Sequence, residues 1–367
     1  MSNTENMEKV MHIQFWGDVN SIIRGSVDLD IVTICYNLKK FLPLVASAGI
    51  KDGTTANNGV TFYNFKEDLI KNRILNKILN LKAFTFSHLI GIIKAERPEI
   101  LHFHNRHNLA DAIVGKLPYN PKIVCHYHRY FSTVPMPRTC DLFLAVSNSV
   151  KDSIVCKTGT TKIFKAIDNP LSYEVIKLGK EILGKEREEK ENKVPLFMYP
   201  GGYQQHKGFN DLIKAVEILN TKGVKFRLYL AGPNLEGYIP PFNNIENLGL
   251  LPPADYLRKL EESVALVLPS LMEPFGLAII EAMHLKKLVI ATCSGGSGEY
   301  LNSENSIVVN PNDPVNLSIG LMEAITCVKG KSKEKQEKGF RVSKKFLPET
   351  VVTQLETLYT QLINNTI

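Results

Sequence analysis

Short apolar runs alternate with stretches of helical periodicity along this chain, and that alternation restricts its architecture more than any other feature. Residues 10–16, 99–104, 122–128 and 142–146 are rich in branched and aromatic side chains and predict strands, with helical stretches between them. After a charged segment the pattern restarts. Residues 196–199, 226–231, 264–268 and 288–292 predict strands, while 209–221, 254–262 and 277–286 predict helices. Strand–helix alternation implies parallel sheets joined by right-handed crossovers. Two such series predict an α/β chain of two Rossmann-like domains facing a cleft, and a length of 367 residues suits about two domains. The boundaries are read as 1–175 for the first domain, 176–194 for a charged linker and 195–346 for the second domain, with a closing segment at 347–367. Within that segment, 348–364 predicts an amphipathic helix.

Composition narrows the function classes. With 44% hydrophobic and 22% charged residues the chain is an ordinary globular protein. No apolar run approaches the ~18 to 20 residues that span a bilayer. Residues 1–9 are polar and mixed in charge, unlike a secretory leader. The 6 cysteines are scattered and form no Cys-x-x-Cys spacing, so they read as reduced thiols of a cytosolic protein. The net charge is +7, and much of the lysine lies in 177–193 and 329–345 among glutamates. Both stretches predict solvated faces; a sharper reading is peripheral attraction to anionic lipid at an inner membrane face. Nucleic acid is not an expected partner, because the basic residues are not interleaved with aromatics.

The chemistry concentrates after the strand at 264–268. Pro274 and Gly276 break the chain, and helical periodicity begins at Leu277. A strand, a glycine turn and a helix N-terminus form a site for an anion, because free backbone N–H groups and the helix dipole converge there. Glu273 in the turn can bond sugar-type hydroxyls, and Glu281 lies about two turns into the helix. Two glutamates at this spacing are common by chance; the whole stretch Glu273-Pro274-Phe275-Gly276-Leu277 through Glu281-Ala282-Met283 is not. A second glycine turn, Gly201-Gly202-Tyr203-Gln204-Gln205-His206-Lys207-Gly208, follows a strand and precedes a helix. It can bring amides and a lysine onto a diphosphate.

These stretches resemble the signature of retaining, family-four nucleotide-sugar glycosyltransferases (group 1), which have the two-domain GT-B fold. The match is good over roughly 195–313 and patchy before it. The resemblance implies a transferase that moves a sugar from a nucleotide-diphosphate sugar to a hydroxyl or lipid-linked saccharide acceptor, as in bacterial surface-glycan synthesis. It implies no cofactor and no metal. Glu273 with the backbone of Phe275, Gly276 and Leu277 would hold the donor sugar and phosphate. Glu281 would hold the ribose, Leu248 would lie beside the base, and Lys207 would neutralise the leaving diphosphate. Gly201 and Gly202 would complete the donor loop. The closing helix would cross back onto the first domain.

One departure is serious. The family places arginine five residues before the lysine, and here that position is Gly202. Arginine clamps a phosphate with two donors, which lysine alone cannot do. His206 or Arg129 would have to compensate, or the chain is a catalytically silent homologue that binds sugar nucleotide or glycan. An epimerase or phosphorylase of the same fold is a further rival, although no pyridoxal lysine is marked.

The first half carries His102/His104 and His126/His128, two His-x-His pairs at predicted strand ends. Residues i and i+2 share a strand face, so each pair could chelate zinc. No acidic or cysteine cluster accompanies them, and site or structural histidines are the preferred reading. His128 takes the position of the family's active-site histidine. His104 and Asn105 are candidate acceptor contacts, and Gly17 remains from the family's acceptor loop. Asp28-Leu29-Asp30 matches a manganese-binding triplet of another transferase fold but lacks a strand context, and it is set aside.

Overall fold

The structure is a computed structural model that describes residues 7–14, 25–49, 53–66, 87–105, 107–134, 136–183, 194–326 and 329–367. It divides into two compact units, Met1–Pro170 with Pro348–Ile367, and Leu171–Leu347.

The first unit is built on strands β1 (Lys9–Gln14), β2 (Leu42–Gly49), β3 (Gly53–Asn57), β4 (Val60–Lys66), β5 (Ile100–His104), β6 (Lys122–Tyr127), β7 (Leu142–Ala145) and β8 (Phe164–Ala166). They form one sheet in the order β3-β4-β2-β1-β5-β6-β7-β8. Every pairing is parallel except the β3–β4 hairpin. The hairpin turns at Asn58-Gly59, both with positive φ (47° and 77°), the residue pair that primed two-residue turns favour. One face of the sheet packs Val10, Ile100, Val124 and Leu144 against Ile34 of the helix Ser26–Asn37. The helix Pro348–Ile363 completes this core with Val351, Val352, Leu355, Tyr359 and Leu362, a helical spacing of apolar residues. Its Glu356 carboxylate accepts the backbone N–H groups of Lys39 and Lys40 at 2.5 and 2.6 Å.

The second unit holds β9 (Leu196–Tyr199), β10 (Arg227–Ala231), β11 (Ile245–Gly249), β12 (Ala265–Leu268), β13 (Leu288–Ala291) and β14 (Ile307–Val308), in the order β11-β10-β9-β12-β13-β14. All the pairings are parallel. The strand order reverses at β9, so the crevice beyond the carboxyl ends of β9 and β12 is where a doubly wound sheet accepts a ligand.

The expected linker is corrected in part. Tyr173–Leu183 is a helix of the second unit, and the division falls between Pro170 and Leu171. Val175 and Gly179 are buried while Glu174, Lys177, Lys180 and Glu181 face outward. A Cβ on Gly179 would lie 2.9 Å from the His284 ring, which shows how closely this helix meets the helix Leu277–His284. Charge along one face concealed an apolar stripe. Residues 184–193 lie outside the described residues.

Candidate functional site

The glycine turn after β9 is held by its neighbour rather than left open. The Gly202 N–H donates to Ala231 O at 2.9 Å, and the Tyr203 N–H donates to Pro233 O at 2.9 Å. Gly202 has φ +64°, and a Cβ there would lie 2.3 Å from Pro233 O. No side chain fits that position without moving the loop after β10. The loop after β10 already uses the Gly202 and Tyr203 amides. Gly201 is equally confined, since a Cβ would lie 2.4 Å from the Tyr199 hydroxyl. What the turn delivers is Lys207. Gly208, at φ +74° against Pro269 O, starts the helix Phe209–Thr221 directly behind it.

Lys207 Nζ donates to Glu273 Oε2 at 2.8 Å, joining residues 66 apart in sequence. Glu273 is 5% exposed. The Ser270 hydroxyl donates to the same oxygen at 3.1 Å. The backbone of Glu273 is clamped as well: its N–H donates to Ser294 O at 3.2 Å, and the Gly296 N–H donates to its carbonyl at 2.7 Å. The turn at Gly295-Gly296-Ser297 thus fixes the carboxylate, and the Ser297 hydroxyl, bonded to Thr292 O and Ser294 O, closes that turn.

Gly276, with φ +93°, reverses the chain and caps the helix Leu277–His284. The Tyr300 hydroxyl donates to Phe275 O at 2.6 Å and Gly276 O at 3.2 Å, and a Cβ on Gly276 would strike that hydroxyl. Phe275 packs edge-on against Phe346. The first N–H groups of a helix have no intrahelical acceptor, so Leu277 begins an anion-favouring end beside Lys207 and Glu273.

Glu281 is 7% exposed. Burial raises its pKa from 4.5 to about 8, with the Glu174 charge adding to the rise and the Tyr256 hydroxyl opposing it. Tyr256 faces it without closing a hydrogen bond of good geometry. Leu248, half-buried, precedes Gly249, whose carbonyl accepts the Gly232 N–H at 2.9 Å. The Asn247 side chain pins Leu235 and Tyr238 through their carbonyls. The ends of β10 and β11 therefore form one braced edge.

His206 is a poor stand-in for the missing arginine. Burial first, then the Lys207 charge, lower its pKa below the ordinary imidazole value. Arg129 is exposed in the first unit, with its guanidinium over the Phe131 ring at 5.0 Å.

In the first unit His128 is buried: its Nε2 meets His104 Nδ1 at 2.8 Å and its Nδ1 lies 3.9 Å from Asp30 Oδ2. Asn105 accepts the His128 N–H at 3.0 Å and donates its own N–H to His126 O, joining β5 to β6. Both His-x-His pairs come together with His12 of β1, which the sequence reading missed because a single histidine in a strand carries no pattern. Asp28 bonds the Gly25 N–H at 3.1 Å at the start of its helix, which accounts for half of the Asp-x-Asp triplet. Gly17 lies outside the described residues.

The family described as glycosyl transferases group 1 matches residues 183–339, most of the second unit. The chain is 27% identical to an uncharacterized glycosyltransferase of Methanocaldococcus jannaschii over 332 residues, covering 83% of this chain and 89% of the relative. A glycosyltransferase from Rickettsia africae superposes with a TM-score of 0.74 at 18% identity, over 98% of this chain and 100% of the other. Anabaena HepE, solved with UDP and glucose, superposes with a TM-score of 0.70 at 16% identity, over 96% and 99%. The fold is GT-B. The group 1 glycosyltransferase match lies within the second unit, and the relative that covers most of this chain is itself a glycosyltransferase. Among the described residues no helix is long and apolar enough to cross a membrane.

Proposed function

We propose that this chain is a retaining glycosyltransferase that moves a sugar from a nucleoside-diphosphate sugar to an acceptor hydroxyl. The observation that carries the reading is the Lys207–Glu273 pair, set between the glycine turn after β9 and the helix that begins at Leu277. Lysine has three donors and Glu273 takes one, so Lys207 can meet a phosphate while staying paired. Glu273 would bond the sugar hydroxyls. The Phe275–Leu277 backbone would meet the phosphate, and Glu281 would meet the ribose. As the bond from the anomeric carbon to the β-phosphate oxygen breaks, negative charge grows on the diphosphate. Lys207 and the helix N-terminus oppose that charge. The acceptor oxygen bonds on the same face of the sugar as its O–H proton passes to the departing phosphate oxygen. His128, His104 and Asn105 are proposed on the acceptor side, and no metal is assigned to the phosphates. The acceptor is proposed as a surface-glycan or lipid-linked saccharide on the resemblance alone.

One observation favours a second reading, a silent homologue that binds the sugar nucleotide without turning it over. The arginine position is Gly202, where φ and the contact with Pro233 exclude any side chain. Incubating the protein with UDP-, GDP- and ADP-sugars, with and without acceptors, separates the two. Release of nucleoside diphosphate supports the transferase; nucleotide binding with no release across the panel supports the silent homologue.

A further inference from the structure

The first unit holds a group of buried polar atoms that sugar transfer does not explain. The sheet register sets His12 opposite His102 and His104 opposite His126. Residues two apart share a face, so His12, His102, His104, His126 and His128 form one strip across β1, β5 and the end of β6. All five are buried. Some contacts are made within the strip. His12 Nδ1 meets His104 Nε2 at 3.0 Å, His104 Nδ1 meets His128 Nε2 at 2.8 Å, and His102 Nδ1 meets the Tyr359 hydroxyl at 2.5 Å. Among the described residues the other nitrogens find no hydrogen-bond partner: Nε2 of His12 and of His102, Nδ1 of His128, and both nitrogens of His126. Buried polar groups in folded proteins are almost always satisfied, so this many in one place calls for a ligand that takes lone pairs.

One nitrogen from each of His104, His126 and His128 lies within 4.8 Å of the others. We propose that His104, His126 and His128 form a three-histidine site for a divalent transition metal of the zinc class, with Asp30 as the carboxylate partner of His128. Imidazole nitrogen suits zinc, cobalt, nickel and copper, whereas magnesium and calcium take oxygen.

His12, His102 and His104 also lie within 4.8 Å, but the observations favour the first triad. Tyr359 already engages His102, whereas both nitrogens of His126 are unmet among the described residues. A carboxylate stands 3.9 Å from His128 Nδ1, where it can offset the charge of an ion and orient the ring. His104 would ligate through Nδ1 and donate Nε2–H to His12, the outer hydrogen bond that metal-bound histidines make. Zinc–nitrogen bonds of about 2.0–2.1 Å set tetrahedral donors about 3.3 Å apart, so the His104–His128 contact opens by roughly 0.5 Å on loading. In that state His128 presents an ion, rather than a bare imidazole, at the end of β6. The inference does not rest on the transferase reading, and its test does not measure transfer.

The test uses the full chain, stripped with a chelator and titrated with cobalt(II), then zinc(II). One cobalt per chain is expected, with the visible ligand-field bands of low coordination number, displaced by one equivalent of zinc. His126→Ala and His128→Gln should each weaken zinc by at least about 100-fold, and Asp30→Asn by about 10-fold, the range for an outer-shell partner. His102→Gln should retain the bands. Melting curves identify any variant that has not folded; if one triad variant fails to fold, the other carries the test. No cobalt uptake by the folded wild type overturns the proposal. So do bands that persist in a folded triad variant, or bands abolished by His102→Gln in folded protein.

Discussion

The two units share a doubly wound plan and treat their polar residues in opposite ways. In the second unit the central acid, Glu273, is met by Lys207, Ser270 and the backbone around Ser294 and Gly296. In the first unit five buried histidines lie side by side, with several nitrogens unmet among the described residues. The difference shows how each site is specified. The second unit's site is made by turns: positive-φ glycines at 202, 208 and 276 bring loops so close that a Cβ at any of them would meet a neighbouring atom. The first unit's cluster is made by register, through which parallel strands align ordinary histidines into a strip.

The largest expected effect is at Lys207. Lys207→Ala removes the one cation bonded to Glu273 among the described residues. With the best-binding donor sugar, turnover should fall by about 10² to 10³, or about 2.7–4 kcal/mol, as for loss of a principal electrostatic contact. An undiminished rate in steady-state assays would place the phosphate elsewhere.

Gly202→Arg tests whether turns define the site. Positive φ costs an L-residue roughly 1–2 kcal/mol, and the overlap with Pro233 adds about 1–3 kcal/mol. Calorimetric melting should show a fall of several degrees with no gain in turnover. A variant as stable as the wild type and faster would mean that the loop can host the clamp.

The two glutamates should separate kinetically. Glu281→Ala should raise KM by about 10-fold with little change in kcat, because a ribose is held alike in ground and transition states. Glu273→Ala should act mainly on kcat, since contacts to the reacting sugar strengthen as charge develops. The reverse pattern in initial-rate measurements would exchange the two roles.

Much of the second unit was legible because its chemistry is local. The strand at 196–199 and the helix at 209–221 fall where periodicity places them, and the turn before Leu277 is written in Pro274 and Gly276. Other features depend on contacts that no local pattern encodes. The φ of Gly202 is set by Pro233 of another loop. Tyr173–Leu183 reads as a charged linker until its apolar stripe meets the helices Pro253–Glu262 and Leu277–His284. In the first unit β2 and the β3–β4 hairpin were not placed, and β3 is exposed throughout, so it lacks the alternation that marks a half-buried strand. His12 joins the histidine cluster only through the β1–β5 pairing.

A smaller effect concerns acidity. The folded pKa of Glu281, about 8, lies above its ordinary 4.5, so the native state binds the extra proton between those values. Its contribution is therefore fully present below about pH 4.5 and is lost as pH rises through about 8. Glu281→Gln should gain on the wild type by on the order of 1 kcal/mol between pH 6 and 9, measured by denaturant unfolding. An equal pH slope in both proteins would show that Glu281 is ionised in the fold.

The most direct test of the central claim is calorimetric titration of UDP, GDP and ADP in the presence of a chelator, on wild type and Lys207→Ala. The account predicts that at least one nucleoside diphosphate binds the wild type without a divalent ion and binds the variant at least tenfold more weakly. Binding by none of the three, binding only when manganese is restored, or equal affinity in the two proteins would contradict it.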